Sequence, residues 1–338
     1  MANLQLHAEN TKCKIKPKNR FVSLDTLEHL DHSQCLQAFQ PTGTTKKSLK
    51  QKAKNTYFSK ELAKNLMCLD SKLLKAYKRT YYDCCAVIVQ DGKKLTSRYC
   101  GARWCNTCNR IRTAKLLNGY LKPLKELSNP YFVTLTIPNV IKADLKHSIR
   151  EMLSTSTKII RCLKYKGYAV NGIRKLECTY NSISDTYHPH FHFIVDSKFI
   201  GNELITEWLN RYPNAERHCQ DLQQINITND AGIKELFKYQ TKMVSKANND
   251  FQIFLSPLDT IFNSIKGIRT FQSFGNIKKV LEDIDNLQSE LCEDLEYYEF
   301  ILWRWDKSDW VNMANGNGLT NYKPSKRMME LTNEKMIT

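Results

Sequence analysis

The sequence contains no long apolar run, and the pattern of its first residues does not predict a leader that would direct the chain across a membrane. None of the 338 residues belongs to an unbroken apolar run of the about 18 residues that a transmembrane helix needs. The first ten residues, MANLQLHAEN, have no basic segment followed by an apolar one, so they do not resemble a secretory signal peptide. We therefore expect a cytoplasmic protein with no membrane partner.

Acidic residues are scarce relative to basic ones. The chain has 51 Lys and Arg but 34 Asp and Glu, which gives a formal net charge of +17. A surplus of this size favours a polyanionic partner, which could be nucleic acid, an anionic membrane or an acidic protein. Because the sequence has no lipidation motif and no basic amphipathic anchor, nucleic acid is the favoured partner.

Cysteine is plentiful, with twelve residues, and several of them cluster. In a large cytoplasmic chain thiols stay reduced, so a cluster indicates a metal site rather than disulfides. We predict that Cys85, Cys100, Cys105 and Cys108 bind a structural zinc ion, with Cys84 as the alternative to Cys85. The competing interpretations are buried free thiols and a redox pair of Cys105 and Cys108.

Three of the eight histidines lie within five residues, His188-Pro-His190-Phe-His192. Alternate residues of a strand share a face, so His190 and His192 point to the same side and could share a divalent cation. A purely structural role is the alternative. His188 is a further possible ligand, a neighbouring group or a structural residue.

A carboxylate on the preceding strand would complete this histidine site. Residues 173–180 are predicted as a strand that forms a hairpin with residues 188–196, which brings Glu177 close to the histidines. The alternative is a surface glutamate on an edge strand. Two histidines and a carboxylate with open coordination positions can hold Mg²⁺, Mn²⁺ or Zn²⁺ and polarise a phosphate.

A basic helix is predicted over residues 231–246, and it carries a tyrosine. Glu235 and Tyr239 are four residues apart and share a face, and Lys242 lies close to that face. An unperturbed tyrosine, with a pKa of about 10, is a poor nucleophile, but a nearby lysine and a polarised phosphate make attack feasible. Alone, this pattern is typical of a solvated helix face.

Together these segments resemble the rolling-circle replication initiator (Rep) proteins of small bacterial plasmids, which belong to the HUH endonuclease superfamily. The resemblance spans roughly residues 80–280. It rests on the cysteine cluster and on four segments in the family's order: FVTLTIP at 132–138, HPHFHFIV at 188–195, KYQTK at 238–242 and KGIRTFQSFGNIKK at 266–279.

The resemblance implies a mechanism. Tyr239 would attack one phosphodiester at the plasmid's double-strand origin, in a single-stranded or cruciform nick site, with Mg²⁺ or Mn²⁺ at the histidines. A 5′-phosphotyrosyl adduct and a free 3′-OH primer would form, and host polymerase and helicase would act next. Glu235, where some relatives have a second tyrosine, would activate a water for termination, and Lys242 would assist at the catalytic site.

The order of predicted elements from residue 131, β-α-β-β-α-β-α, is similar to the ferredoxin-like, split βαβ arrangement. We therefore expect an α+β fold with an antiparallel sheet. The expected organisation is listed along the chain: a basic flexible arm (1–57), a helix plus the zinc-binding segment (58–127), the HUH endonuclease domain (128–250) and a mainly helical C-terminal region (251–338).

Two other function classes remain open from the sequence. A related HUH relaxase or single-strand transposase would share the chemistry but act on a different substrate. A zinc-containing DNA-binding regulator would bind DNA without cleaving it, and its histidine strand would be structural. The oligomeric state is not predicted by any pattern in the sequence.

Overall fold

The computed structural model describes residues 45–227, 245–247, 250–281, 284, 287–298 and 300–338. In chain order the elements are α1 (Lys46–Leu66), α2 (Leu74–Tyr82), β1 (Val87–Asp91), β2 (Lys94–Arg98), α3 (Asn106–Lys125), β3 (Tyr131–Thr136), α4 (Leu145–Tyr165), β4 (Gly172–Asn181), β5 (Thr186–Val195), α5 (Lys198–Arg211), β6 (Asp221–Gln224), β7 (Ser245–Ala247), β8 (Asp250–Phe254), α6 (Leu255–Ile265), β9 (Phe271–Phe274), β10 (Leu287–Leu291), β11 (Ile301–Asp306), β12 (Asp309–Asn312), α7 (Lys326–Asn333) and β13 (Met336–Ile337). Two five-stranded antiparallel sheets dominate, which confirms the expected α+β class.

The central sheet has the strand order β6-β3-β5-β4-β9, and every neighbouring pair is antiparallel. β-Branched and aromatic residues fill β3 and β5, which favours strands. Phe191 and Phe193 point to one face, where Phe191 packs edge-on against Trp208 of α5. The histidines of β5 therefore point to the opposite face.

Helices cover the two faces of the central sheet differently. α4 is amphipathic, and its buried residues include Leu145, Ile149 and Met152 at helical spacing. On the histidine face, α3 contributes Leu117 and Tyr120 to a second apolar cluster that covers one end of the strands. The other end of that face is left for polar side chains. Among the described helices, none is both long and apolar enough to cross a membrane.

The second sheet has the order β10-β2-β1-β11-β12 and joins distant parts of the chain. Val89 of β1, for example, lies opposite Leu302 of β11. The expectation of a mainly helical C-terminal region was therefore wrong, since β9 to β13 and all but the first residue of β8 lie within residues 251–338 beside α6 and α7. Trp303 is buried while Leu302 and Arg304 are exposed, an alternation typical of a strand.

The N-terminal helix begins earlier than the sequence predicts. Thr45 caps α1, because its side chain accepts a hydrogen bond from the backbone N–H of Ser48. Residues 46–57, assigned above to the arm, are therefore helical. Ser59 lies inside α1, where its hydroxyl donates to the carbonyl of Asn55. Residues 1–44 lie outside the described residues.

Candidate active site and metal centres

Strands β4 and β5 place one carboxylate beside two imidazoles. Glu177 lies opposite His190 in the strand register, and His192 is two residues further along β5. The Nε2 atoms of His190 and His192 lie 3.4 and 3.6 Å from Oε2 of Glu177. All three residues are buried, Glu177 to 2% exposure and the histidines to 7% and 8%. One ligand atom from each converges on a common point, so the group could hold a metal ion.

The Nδ1 atoms of both histidines have partners on the protein. Nδ1 of His190 lies 3.1 Å from the carbonyl oxygen of His188, which can only accept, so this nitrogen donates. Nδ1 of His192 lies 3.2 Å from the hydroxyl of Thr134. For His190, donation from Nδ1 leaves the lone pair on Nε2, the atom that faces Glu177. The Thr134 hydroxyl can accept from Nδ1 of His192 in the same way, because a hydroxyl both donates and accepts. Burial lowers the pKa of His192 although Glu177 opposes this shift, which favours the neutral, metal-binding imidazole.

A fully buried lysine completes the site. Lys175 lies on the same face of β4 as Glu177, and its Nζ donates to Oε1 of the carboxylate. Burial raises the pKa of Glu177, but the charge of Lys175 outweighs it and holds this pKa well below its usual range. Glu177 is therefore an ionised carboxylate inside the protein.

The second oxygen of Glu177 is the decisive atom for metal fit. Within the described part of the chain, Oε2 is buried and has no hydrogen-bond partner. A buried charged oxygen without a partner is unfavourable by several kcal/mol. Because this oxygen faces two imidazole lone pairs, a divalent cation would satisfy all three atoms at once. The donor set of two nitrogens and one oxygen thus fits a catalytic ion with open positions.

His188 lies beside this group but is not part of it. Its Nδ1 is 2.9 Å from Oδ1 of Asn139, and its ring stacks on His190 with 5.3 Å between the centroids. The structure therefore places His188 where it can support the orientation of His190.

The second cluster consists of four cysteines. The Sγ atom of Cys84 lies 3.7 Å from Sγ of Cys105 and 3.6 Å from Sγ of Cys108. The Sγ atoms of Cys100 and Cys108 are 3.5 Å apart. A tetrahedral ion with metal–sulfur bonds of about 2.3 Å, the zinc value, separates its ligands by about 3.8 Å. The cluster therefore has nearly the dimensions of a zinc tetrahedron.

Cys85, the first ligand predicted from the sequence, is not in this group, and Cys84 takes its place. The backbone of Cys85 is left-handed, with a φ of 51°. Its N–H donates to the carbonyl of Arg98, and its carbonyl accepts from Nε1 of Trp310. Since neighbouring side chains diverge here, only Cys84 lies within the sulfur group.

Local backbone geometry supports negative charge on these sulfurs. The N–H of Gly101, which has a φ of 69°, lies 3.3 Å from Sγ of Cys108, and the N–H of Ala102 lies 3.5 Å from Sγ of Cys100. Cys105 is the N-cap of α3 and Cys108 lies in its first turn. The positive end of a helix dipole stabilises thiolates.

Two side chains next to the cysteine cluster attach it to its surroundings: Trp104 packs on the helices α2 and α6, and Arg103 reaches the central sheet. Trp104 packs against Tyr77 and Phe262, with ring centroids 5.2 and 5.4 Å apart. Arg103 donates to the hydroxyl of Thr270 at 2.9 Å, and the Thr270 carbonyl accepts from the N–H next to Glu177, that of Leu176. The two clusters are therefore linked through a short run of contacts.

The comparison with protein families decides the identity. A family model described as Replication protein matches residues 92–309, nearly two thirds of the chain. The chain belongs to this replication protein family. The match includes both strands of the histidine site and most of the cysteine cluster, and it confirms the resemblance to replication initiator (Rep) proteins.

Curated relatives agree with the family. A Protein rep of Staphylococcus aureus is 29% identical over 163 residues, which cover 46% of this chain and 67% of the relative. One from Bacillus amyloliquefaciens is 32% identical over 36% of this chain and 39% of its own. One from Lentilactobacillus hilgardii is 24% identical over 62% of this chain and 76% of its own. No solved structure matches the chain.

In this replication protein's site, one group of predicted residues is not described and one residue was missed by the sequence analysis. Glu235, Tyr239 and Lys242 lie outside the described residues, so their roles stay predictions. Lys175 was missed, because a lysine in a strand is usually solvent-exposed. Its position two residues before Glu177, on the same face of β4, is the sequence signal that would have found it.

Proposed function

We propose that this replication protein is a rolling-circle initiator that nicks one strand of plasmid origin DNA in a metal-dependent reaction. Membership of the family supports a role in replication. The observation that carries the nicking activity is the buried, unpartnered Oε2 of Glu177 between the Nε2 atoms of His190 and His192. A metal-free site would satisfy this oxygen within the protein, whereas a metal site keeps it available for a cation, and three protein ligands leave open positions for a phosphate.

The proposed reaction is a transesterification. The phenolic oxygen of Tyr239 attacks phosphorus, a 5′-phosphotyrosyl bond forms, and the bond to the 3′-oxygen breaks. Tyr239 loses its proton and the released 3′-oxygen gains one, so the products are an adduct and a free 3′-OH. A divalent cation bound by Glu177 and the histidines would polarise the phosphate. Lys242 would stabilise the phenolate, since an unperturbed tyrosine has a pKa of about 10.

Termination would use a different residue of the same segment. Glu235 would act as general base and activate a water for the last cleavage, which releases the enzyme rather than starting a second cycle. The free 3′-OH would serve host polymerase, with host helicase unwinding the duplex, and the site of action would be the cytoplasm.

Two finer structural assignments belong to this proposal. The element order β3-α4-β4-β5-α5-β6 and the strand order β6-β3-β5-β4 are those of the ferredoxin-like arrangement, which supports an HUH nuclease domain. Cys84, Cys100, Cys105 and Cys108 would hold structural zinc, because a closed set of four thiolates leaves no position for a substrate.

Covalent capture tests the proposal. Purified protein is mixed with Mn²⁺ and the single-stranded origin of its replicon, and denaturant-resistant protein–DNA adducts are mapped by mass spectrometry. The expected result is an adduct on Tyr239 that is absent from Tyr239→Phe, while binding to the oligonucleotide persists. Glu235→Gln should still form the adduct but fail in strand release.

Other outcomes would redirect the assignment. An adduct on another residue would keep the enzyme class and replace the nucleophile. Tight binding to the cognate strand without an adduct under Mn²⁺ or Mg²⁺ would contradict the nicking function and favour the non-catalytic DNA-binding regulator.

A further inference from the structure

The second sheet, with the strand order β10-β2-β1-β11-β12, has one covered face and one exposed face. The register pairs Val87 with Arg304, Val89 with Leu302 and Thr96, and Leu287 with Arg98, so these residues share a face. We call this set, with Val87 at its centre, the outer sheet face. Leu302, Val87 and Leu287 are exposed, whereas Ile88 and Trp303 on the other side are buried.

Two arginines of the outer sheet face lie on either side of Val87. Arg98 and Arg304 lie on β2 and β11, the two strands that flank β1, so their backbones are about 10 Å apart, twice the strand spacing. Lys94 adds a third cation. The carboxylates of this face are Asp91, which lies opposite Lys94, and Asp306, which lies opposite the buried Asp309.

A cavity of about 520 Å³ adjoins this face, and aromatic, aliphatic and amide side chains line it. Phe300, 65% exposed, Leu302 and Met313 form the apolar part. Asn312, Asn315 and Asn317 form the polar part. The Oδ1 atoms of Asn312 and Asn315 accept from loop N–H groups. Asn312 is buried and lies opposite Trp303, on the covered side of the sheet. Asn315 is exposed, and within the described part of the protein its amino group has no hydrogen-bond acceptor.

We propose that the outer sheet face and its cavity bind single-stranded DNA, with one unstacked base in the cavity. A base can stack on Phe300, and asparagine amides can pair with base edges. Arg98 and Arg304 would contact phosphates on either side of Val87. Duplex DNA fits this face less well, because its bases stay stacked and do not reach Phe300. A second copy of the chain also fits less well, because two such faces would bring the arginines of both copies together.

The inference rests on the proposed nicking function, because nicking and unwinding expose the single strand that this face would hold. It adds a binding site that lies on a different sheet from Glu177 and the histidines. Binding can therefore be measured without cleavage, in the Tyr239→Phe background of the full chain.

The test uses a fluorescent mixed-sequence single-stranded oligonucleotide and anisotropy over a series of salt concentrations. Phe300→Ala should weaken binding about 5- to 100-fold, the range for loss of one stacked base. The double variant Arg98→Gln and Arg304→Gln should reduce the slope of log affinity against log salt by about 1.4, for two lost phosphate contacts.

Matched controls lie on α4. Tyr165 is 94% exposed, so Tyr165→Ala removes an exposed aromatic ring elsewhere, and Lys146→Gln with Arg150→Gln removes two exposed cations. Both controls should leave the affinity within about twofold of the parent, and the double control should leave the salt slope unchanged. An oligonucleotide carrying 5-iodouracil should photocrosslink to peptides spanning 298–304 or 312–318.

Three results would overturn the inference: unchanged affinity and slope in the outer-face variants, crosslinks that map only elsewhere, or altered self-association of those variants with normal DNA binding. The last result would identify the face as a contact between two copies. If binding depends on this face but the parent protein forms no adduct, the nicking proposal fails and this inference stands.

Discussion

The two clusters of candidate metal ligands in this protein differ in completeness. The cysteine cluster offers four equivalent sulfurs at tetrahedral spacing, all supplied by a helix N-terminus and the loops before it. The histidine site offers three atoms on two adjacent strands, and one of them, Oε2 of Glu177, is left without a partner in the described residues. A closed set can only hold an ion, whereas an open set can also bind a phosphate.

The difference also concerns what surrounds each cluster. Around the cysteines, backbone N–H groups point at the sulfurs, so the loop is shaped by the ion it would hold. Around the histidines, Lys175 and Thr134 fix the ligands from within a rigid sheet. Removing a ligand from the cysteine cluster should therefore destabilise the fold, whereas removing a ligand from the histidine site should abolish activity.

The largest effect is expected at the cysteine cluster. Cys84→Ser should lose the bound zinc and strongly destabilise the protein, because structural zinc contributes about 10–16 kcal/mol of apparent folding free energy in small domains. Cys85→Ser is the matched control and should keep one zinc per chain. Elemental analysis and thermal unfolding measure both, and zinc loss in Cys85→Ser alone would contradict the ligand assignment.

Next comes the buried lysine of the histidine site. Lys175→Met leaves Glu177 charged, buried and without its cation, so the free energy of unfolding should fall by about 3–5 kcal/mol without metal. Added Mn²⁺ should restore more stability to this variant than to the parent, since the ion would replace the lost charge. Denaturant titrations with and without Mn²⁺ measure this.

The exposed pair of Lys166 and Glu207, 2.8 Å apart, provides the control. Lys166→Met should change the free energy of unfolding by at most about 1 kcal/mol, with no response to Mn²⁺. If Lys166→Met and Lys175→Met lowered the free energy of unfolding equally, the prediction that Lys175 neutralises a buried charge would be contradicted.

Removing the proposed metal ligand His190 should affect stability less than the changes above but should strongly weaken metal binding. His190→Ala should weaken Mn²⁺ binding by about 100-fold or more, since even an outer partner of a ligand contributes about 10- to 100-fold. The melting temperature without metal should stay close to that of the parent. Calorimetric titration with Mn²⁺ checks this, and unchanged affinity would remove His190 from the site.

The smallest effect is expected for the neighbouring histidine. His188→Ala should change Mn²⁺ affinity by less than about tenfold, because His188 contacts Asn139 and the ring of His190 but not Glu177. The same titration decides it. A loss as large as that of His190→Ala would make His188 a ligand.

Local patterns predicted the central sheet well. The alternation of β5 and the turn after β4 predicted the hairpin, and the register indeed places Glu177 opposite His190. Both signals act over a few residues, so they are visible in the sequence.

The remaining features depend on distant contacts. β1 pairs with β11, which is more than 200 residues away in the sequence. The segment after residue 280 is rich in acidic residues, a composition that favours helices, so its strands were not predicted. The choice between Cys84 and Cys85 depends on one left-handed backbone angle. Lys175 is buried because it contacts the carboxylate of Glu177 and the ring of Phe271. Phe271 is almost 100 residues away in the sequence, so a local pattern does not predict this contact.

The central claim is that one cluster holds the fold and the other performs the nicking. The most direct test is to treat the purified protein with EDTA, measure zinc per chain and thermal unfolding, and then assay adduct formation before and after adding Mn²⁺. The account predicts one retained zinc, an unchanged melting temperature, no adduct after EDTA and an adduct on Tyr239 once Mn²⁺ is restored. An adduct that forms without any divalent ion, or a chain that keeps its fold without zinc, would contradict it.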